Sequence, residues 1–372
     1  MSPRYDAVII GGGAMGLSVG YNLIKRGMKS IVLEGDYLNA GSTGRSMGIL
    51  KERIHHAIGK GNEDLIRIAH EGLKLHGSLS SETGINTFFR KSGCLMIAKN
   101  EDELRTLEKY QSYFRSHNLR DEFLSPDTIN KRWSFIDSNG LLGGFFSPSE
   151  GIVHPYGLVW AFLESIKRMK GKVEKQNWVK KISRSSEGYK IEAEKDSYEA
   201  ENVVIACGAN SSELLGQMGF EIHLTPLRKE VLISEPIRPF FGPTIERLSK
   251  DYQIAQTMRG EVLGTLGYMS PGYDLSETTS KFLNEFAEET ISILPNFRHL
   301  RIIRQWTGIC DKTPDELPFV GHLDDGLYTT CGHYDYGITL SPIVGRLLAD
   351  LIINGTQIPL LKHFDPTRTP LK

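Results

Sequence analysis

Ala7-Val8-Ile9-Ile10-Gly11-Gly12-Gly13-Ala14-Met15-Gly16, followed through Lys25 to Ser30-Ile31-Val32-Leu33-Glu34, is the stretch on which the reading of this chain turns. It runs from an apolar β-branched strand through a glycine turn into a helix, then to a second strand that ends on an acid. The helix reads from Met15 to about Lys25 with Leu17, Tyr21 and Ile24 on one side, and Gly27 stops it. Gly11-x-Gly13-x-x-Gly16 has the spacing of a dinucleotide cradle: one glycine for the turn, one for close approach of a pyrophosphate, one for packing helix on strand. The helix start offers free N–H groups and positive potential to phosphates. Glu34 stands where a carboxylate accepts both ribose hydroxyls and repels a 2′-phosphate. A bare glycine triplet is weak, but strand, helix, strand and acid in register point to FAD or NAD.

The chain has 372 residues, enough for one large domain or two ordinary ones. A net charge of −1 gives no reason to expect nucleic acid or an anionic membrane as partner. Cys94, Cys207, Cys310 and Cys331 are scattered without metal-like spacing, which fits reduced thiols and a cytoplasmic protein. Ala7 to Ile24 is apolar, but its glycines, Asn22 and its division into strand and helix argue against an anchor. No other segment reads as long and apolar enough to span a bilayer.

Further along, residues 62–82, 101–117, 126–133 and 155–169 read as helices. Phe88-Phe89 and Cys94 to Ala98 read as a hairpin, and Lys172 to Glu201 as a meander. Asn202 to Ala209 reads as a buried strand ending in a small-residue turn, with Ser211 placed to cap the next helix. From Thr225 to about Arg304 the pattern is strand-rich around one helix near 277–293. Leu327 to Gly332 is a strand that feeds a glycine turn and a helix from about Thr339 to Ile353. The expected fold is α/β: a doubly wound, Rossmann-like cofactor domain with an inserted antiparallel-sheet substrate domain. The expected boundaries are 1–84, 142–220 and 303–372 for the first, and 85–141 and 221–302 for the second.

Taken together, several segments resemble the D-amino-acid-oxidase-like flavoproteins, the group of glycine oxidase and monomeric sarcosine oxidase. They are the opening Val8-to-Gly13 run, Gly41 to Gly48, His154-Pro155-Tyr156-Gly157-Leu158 and Val203 to Ser211, in which Asn210 replaces the group's usual tryptophan. Trp306 to Pro318 and Gly332 to Pro342 complete the set, and residues 59–98 and Ile129 to Trp133 resemble sarcosine oxidase. The resemblance covers nearly the whole chain and implies FAD. A late glycine turn feeding a helix has no use in an NAD enzyme, whereas it can aim N–H groups at the flavin N1/O2 edge, where charge gathers on reduction. The implied cofactor contacts are Gly11, Gly13, Ala14, Met15, Gly16 and Glu34; Ser42, Thr43, Arg45 and Ser46; Gly48 and Ile49 along the ring. Val179 is implied at the adenine, Ala206 and Gly208 on the pyrophosphate side, and Gly308, Gly337, Ile338 and Thr339 near the ring. Arg45 is read equally well as a solvent-facing loop residue.

The substrate end departs from the pattern. Relatives hold a carboxylate with two arginines, a strong bidentate contact; this chain has Cys310 and Asp335 at those places, and Thr339 where sarcosine oxidase places a lysine. Sarcosine oxidase's flavin-linking cysteine aligns near Gly308, not with Cys310, so FAD is expected to be non-covalent. Candidate catalytic residues are Asp335, Tyr336, Cys310 and Arg53. Asp335 reads either as a substrate anchor or as a loop carboxylate paired with an arginine such as Arg304. Tyr334 and Tyr336 read as pocket walls or as packing, and His333 as structural. Lys51, Arg53, His55 and His56 read either as replacement cations or as a plain exposed strand. The expected activity is FAD-dependent oxidation of a C–N bond in a small amine or amino acid, with oxygen or another electron acceptor. The alternatives are a 2-hydroxy-acid or polyol-phosphate dehydrogenase and a non-catalytic flavin subunit or assembly factor.

Overall fold

The computed structural model describes residues 2–55, 63–117, 119–268, 270–356 and 358–368. Among them the chain builds two eight-stranded sheets and a short two-stranded ribbon. In the first sheet Leu327–Cys331, Ser197–Ile205, Arg4–Ile10, Ser30–Leu33 and Lys172–Glu174 lie side by side in parallel. Ala7, Val8, Ile9, Ile31, Val32, Val203 and Val204 are fully buried, as continuous β-branched runs are when a parallel sheet is covered on both faces. Ile10 pairs with Leu33 on one side and Ile205 on the other, so these strands end together. The crevice beyond such carboxyl ends is where open α/β sheets bind ligands.

The helix Ala14–Lys25 leaves the first strand and packs against Pro155–Arg168 and Gly337–Asn354. Its buried side carries Leu17, Tyr21 and Leu23. The helix Gly337–Asn354 together with its preceding turn, Tyr334–Asn354, is long and apolar enough to cross a membrane, contrary to the expectation that no such segment follows residue 24; it is 67% buried inside the fold.

The second sheet runs in the order Ile302–Lys312, Thr225–Ser234, Val262–Thr265, Tyr252–Gln256, Thr244–Arg247, Cys94–Ala98, Gly143–Ser147, Glu122–Leu124. All its neighbours are antiparallel except Thr244–Arg247 and Cys94–Ala98. Alternation along a strand sends successive side chains to opposite faces. Leu232 thus joins Ile254, Val262 and Phe286 of the helix Ser280–Ile293 on one side. Val231 joins Ala255, Met47 and Ile152 on the other, toward the first sheet.

Two strands expected in the cofactor domain lie elsewhere. Gly143–Ser147 and Ile302–Lys312 belong to the second sheet, because each finds its hydrogen-bonding neighbours there. Phe88 and Phe89 form no strand; Phe88 sits at φ 54 and its N–H donates to the Asn86 side chain. Ser211 is the first residue of a short helix, and its hydroxyl accepts from Cys207 N–H, so it closes the preceding turn.

Candidate active site

A cavity of about 790 Å³ opens where the first sheet's strands end and the second sheet's inner face begins. That is within the usual range for a small-molecule or cofactor site. Gly11, Gly13, Ala14, Met15 and Glu34 line one part of it; His333, Asp335, Gly337 and Ile338, from the far end of the sequence, line another. The two ends of the chain therefore meet in one cleft.

Two of the helices that reach the cleft, Ala14–Lys25 and Gly337–Asn354, present their N-termini to it. No side chain caps Ala14–Lys25 at Gly13, and the Ala14 N–H donates to Thr43 Oγ1 at 3.2 Å. No side chain caps Gly337–Asn354 either, and no acid occupies its first turn. Unpaired N–H groups and aligned peptide dipoles at two helix starts make sites for negative charge.

The glycines divide by cause. Gly11 has φ +117, and a Cβ there would lie 2.3 Å from the Ala206 carbonyl oxygen. A Cβ on Gly16 would lie 2.0 Å from the Gly11 carbonyl oxygen, so Gly16 lets helix and strand pack and does not itself line the cleft. At Gly13 a Cβ would meet only the Thr43 hydroxyl, at 3.2 Å. The protein leaves that space open, as a cradle for phosphate requires. Glu34 accepts from Gly12 N–H at 2.6 Å and Asp36 N–H at 2.9 Å, one bond to each oxygen, which leaves each with capacity for a hydroxyl. Trp178, about half exposed beside Gly35 and Val179, adds an aromatic wall that sequence reading did not single out.

Ser42, Thr43, Arg45, Ser46, Gly48, Ile49, Val179, Ala206, Gly208 and Gly308 all line the cavity. Several of their side chains are already committed. Ser42 donates to the Ile309 carbonyl, and Ser46 to that of Thr43. Arg45 donates to the Ala40 and Thr307 carbonyls, which makes it a strut between its own short helix, Ser42–Arg45, and the strand Ile302–Lys312. Thr339 lies behind the cleft, fully buried, and accepts from Lys51 N–H at 3.0 Å; its hydroxyl is not a cleft group.

The substrate-end candidates separate clearly. Asp335 lines the cavity and pairs with Lys229, Nζ to Oδ2 at 3.2 Å, and not with Arg304, which lies against Trp306. Tyr268 donates its hydroxyl to the same oxygen, and the Cys310 thiol donates to Oδ1 at 3.2 Å. Burial alone would raise the Asp335 carboxyl; Lys229, the Tyr268 hydroxyl, Lys51 and the Cys310 thiol outweigh it and hold it well below the usual carboxylate range. Burial and the Asp335 charge push the Cys310 thiol well up, so it stays protonated. Lys51 also lines the cavity, paired with the buried Glu246 at 2.6 Å; burial opposes its charge, but Glu246 more than restores it.

Arg53 and Tyr336 are not cleft residues. Arg53 is fully buried and closed in by Glu52 at 2.7 Å, Asp121 at 3.7 Å and Glu150 at 3.8 Å. The segment is not a plain exposed strand, and Arg53 is not a replacement cation, whereas Lys51 does reach the cavity: the Glu52 and Arg53 amides donate to Glu150, and Glu52, Arg53 and Ile54 are buried. His55 stacks on Tyr110, and His56 lies outside the described residues. Tyr336 is buried with its hydroxyl donating to the Glu316 carbonyl, so it packs, while its neighbour Tyr334 lines the cavity and stacks on Tyr268 at 5.7 Å. His333 lines the cavity with Nε2 2.8 Å from the Thr330 hydroxyl, and burial pushes its pKa down to about 3. Asp311 accepts from Gly332 N–H at 2.7 Å, and burial raises it to about 6.

Lys229, like Trp178, is a site residue the sequence did not disclose. It sits in the strand Thr225–Ser234 between Arg228 and Glu230, where a charge triplet looks like a solvated face. Its one signal is parity: Lys229 and Val231 share a face, and Val231 belongs to the inner one.

The model of a family described as FAD dependent oxidoreductase matches residues 6–351 of this chain. Glycine oxidase of Geobacillus kaustophilus is 25% identical over 376 residues, covering 99% of this chain and 98% of that one. The mitochondrial dimethylglycine dehydrogenase of Homo sapiens is 26% identical over 389 residues, covering 98% of this chain but 44% of that enzyme, so the chain spans less than half its length. Among solved structures, L-proline dehydrogenase from P. horikoshii has the same fold, with a TM-score of 0.90 at 24% identity over 98% of both chains.

Proposed function

The chain belongs to the family of FAD dependent oxidoreductases, and from that premise we propose that it oxidises the C–N bond of a small amine or amino acid. Oxidation requires the neutral amine, so the bound ammonium first releases a proton to water; loss of the α-hydrogen as hydride to the flavin N5 then leaves an iminium that water hydrolyses. Bound FAD supplies the two-electron acceptor; oxygen or another acceptor then takes the electrons. Relatives named for glycine and dimethylglycine support a substrate that carries an amine and a carboxylate.

The chain's own residues divide the work. Gly11, Gly13, Ala14 and Met15 form the phosphate cradle, and Glu34 receives the ribose hydroxyls. Trp178 and Val179 flank the adenine. Ala206 and Gly208 border the diphosphate, and Gly48, Ile49 and Gly308 border the ring. The start of Gly337–Asn354 faces the edge where negative charge develops. Cys310, Lys229 and Asp335 stand at the substrate end, and Cys310 positions Asp335 through its thiol. Asp335, held below the ordinary carboxylate range, stays anionic near neutral pH and so holds the substrate's ammonium as it binds, the proton leaving to water before oxidation.

The observation that carries this reading is the Lys229–Asp335 pair in the same cavity as both helix starts. An ammonium can lose its proton to water before oxidation, whereas the far less acidic hydroxyl of a hydroxy acid needs a base at the reacting step. His333, the histidine that lines the cavity among the described residues, is held at about 3 and is a poor one. Anaerobic mixing of FAD-loaded protein with a panel of amines, amino acids and 2-hydroxy acids tests the proposal. Bleaching of the flavin by amines or amino acids is expected. Bleaching by hydroxy acids alone, or by none of the panel, would overturn it.

A further inference from the structure

We infer that Lys229 and Asp335 act together as a receptor for a zwitterion and select ligands that carry a carboxylate and an ammonium on one carbon. This rests on the proposed oxidation of amines and amino acids and narrows it to α-amino acids and their N-alkyl forms. Lys229 and Asp335 come from different parts of the chain, the strand Thr225–Ser234 and the turn before Gly337–Asn354. They meet inside the cavity at 3.2 Å with the Lys229 side chain 8% exposed.

A buried ion pair is a poor way to stabilise a fold, because removing two charges from water offsets most of their attraction. The hydrogen-bond accounting suggests another use. An ammonium has three protons to donate. Lys229 directs two, to the Tyr268 hydroxyl at 3.1 Å and to Asp335 Oδ2, and among the described residues no partner takes the third. On Asp335, Oδ2 receives Tyr268 and Lys229, whereas among the described residues Oδ1 receives only the thiol of Cys310, a weak donor. One strong donor and one strong acceptor thus remain, side by side, on opposite charges.

A ligand with both charges on one carbon lies antiparallel to this pair, its carboxylate at Lys229 and its ammonium at Asp335. Each group added then finds an opposite charge, and none is left uncompensated. A lone carboxylate would engage Lys229 while facing Asp335, and a lone ammonium the reverse. The surrounding charges do not break this balance toward an anion: Lys51 is answered by Glu246, and Asp251 acts on the same pair as a further acid whose pKa burial raises. Tyr268 fixes the geometry, since Nζ of Lys229 also lies 4.2 Å from the centre of its ring, which is itself stacked on Tyr334.

Three ligands built on one fully substituted carbon, with no α-hydrogen, separate selection from oxidation: 2-aminoisobutyrate, pivalate and tert-butylammonium. Calorimetric titration into FAD-loaded protein should give the zwitterion roughly tenfold tighter binding than either singly charged ligand, the size expected for one charge-assisted hydrogen bond. In Asp335→Asn the preference should move to pivalate, which gains in absolute affinity because Lys229 is released. In Lys229→Gln it should move to tert-butylammonium. The double variant K229M/D335L, an apolar replacement that buried pairs tolerate, should bind all three alike. Parallel weakening of all three ligands in both single variants, or an unchanged zwitterion preference in the double variant, would make the pair a strut and overturn the inference. None of the ligands can be oxidised, so these outcomes stand apart from those of the bleaching panel.

Discussion

Gly11, Gly13 and Gly16 differ in what forces each to be glycine. The backbone itself demands the first and last, through φ +117 and a 2.3 Å approach at Gly11 and a 2.0 Å approach at Gly16. Gly13 is demanded only by what enters the cleft. Gly13→Ala should therefore leave the melting temperature of the apoprotein unchanged and weaken FAD binding by at least tenfold, read by quenching of FAD fluorescence; equal loss of fold and cofactor would place the constraint in the protein. Glu150 offers a second test at this scale. Burial raises its carboxyl to about 7, against the pull of Arg53 and with Glu246 and Glu52 adding to it. A folded pKa above the unfolded value of about 4.3 contributes stability that is fully present below that value. The contribution is lost as pH rises through about 7. Glu150→Gln keeps an acceptor for the Glu52 and Arg53 amides and cannot ionise. Its melting temperature should gain on the parent's steadily from pH 5 to pH 8, and a constant gap would contradict the buried acid.

Two elements carry the site, and they differ in how far they can be read in advance. The helix Ala14–Lys25 announces itself through local glycines and the acid that follows, because its cleft-lining residues lie within one turn of chain. The helix Gly337–Asn354 is recognisable as a helix after a glycine turn, but its meeting with the first depends on the parallel pairing of Leu327–Cys331 beside Ser197–Ile205. Ile338→Asp tests its role. A carboxylate in the first turn suits the helix dipole, so the helix should persist by circular dichroism. The same carboxylate occupies the place of the developing flavin charge, so FAD should bind at least tenfold more weakly; unchanged affinity would detach this helix from the cofactor. The strand Thr225–Ser234 hides Lys229 because its inner face is set by pairing with Ile302–Lys312, which no local pattern encodes. Arg53 misleads for the converse reason: its neighbours alternate like a strand, yet Glu150, 97 positions away, captures their amides and folds the segment inward.

At the scale of the molecule, the cofactor sheet is legible because its strands are continuous β-branched runs with glycine punctuation, and the second sheet is legible only as a strand-rich interval. Its two misassigned strands, Gly143–Ser147 and Ile302–Lys312, carry no mark of which sheet they join. What unites the parts is a cleft lined by both ends of the chain, so one ligand should order both at once. Hydrogen–deuterium exchange of the protein with and without FAD measures this directly. The account predicts slowed exchange over residues 11–17 and, in the same sample, over residues 333–340, with both effects saturating at one FAD per chain. Protection confined to residues 11–17, with 333–340 exchanging as in the apoprotein, would contradict it.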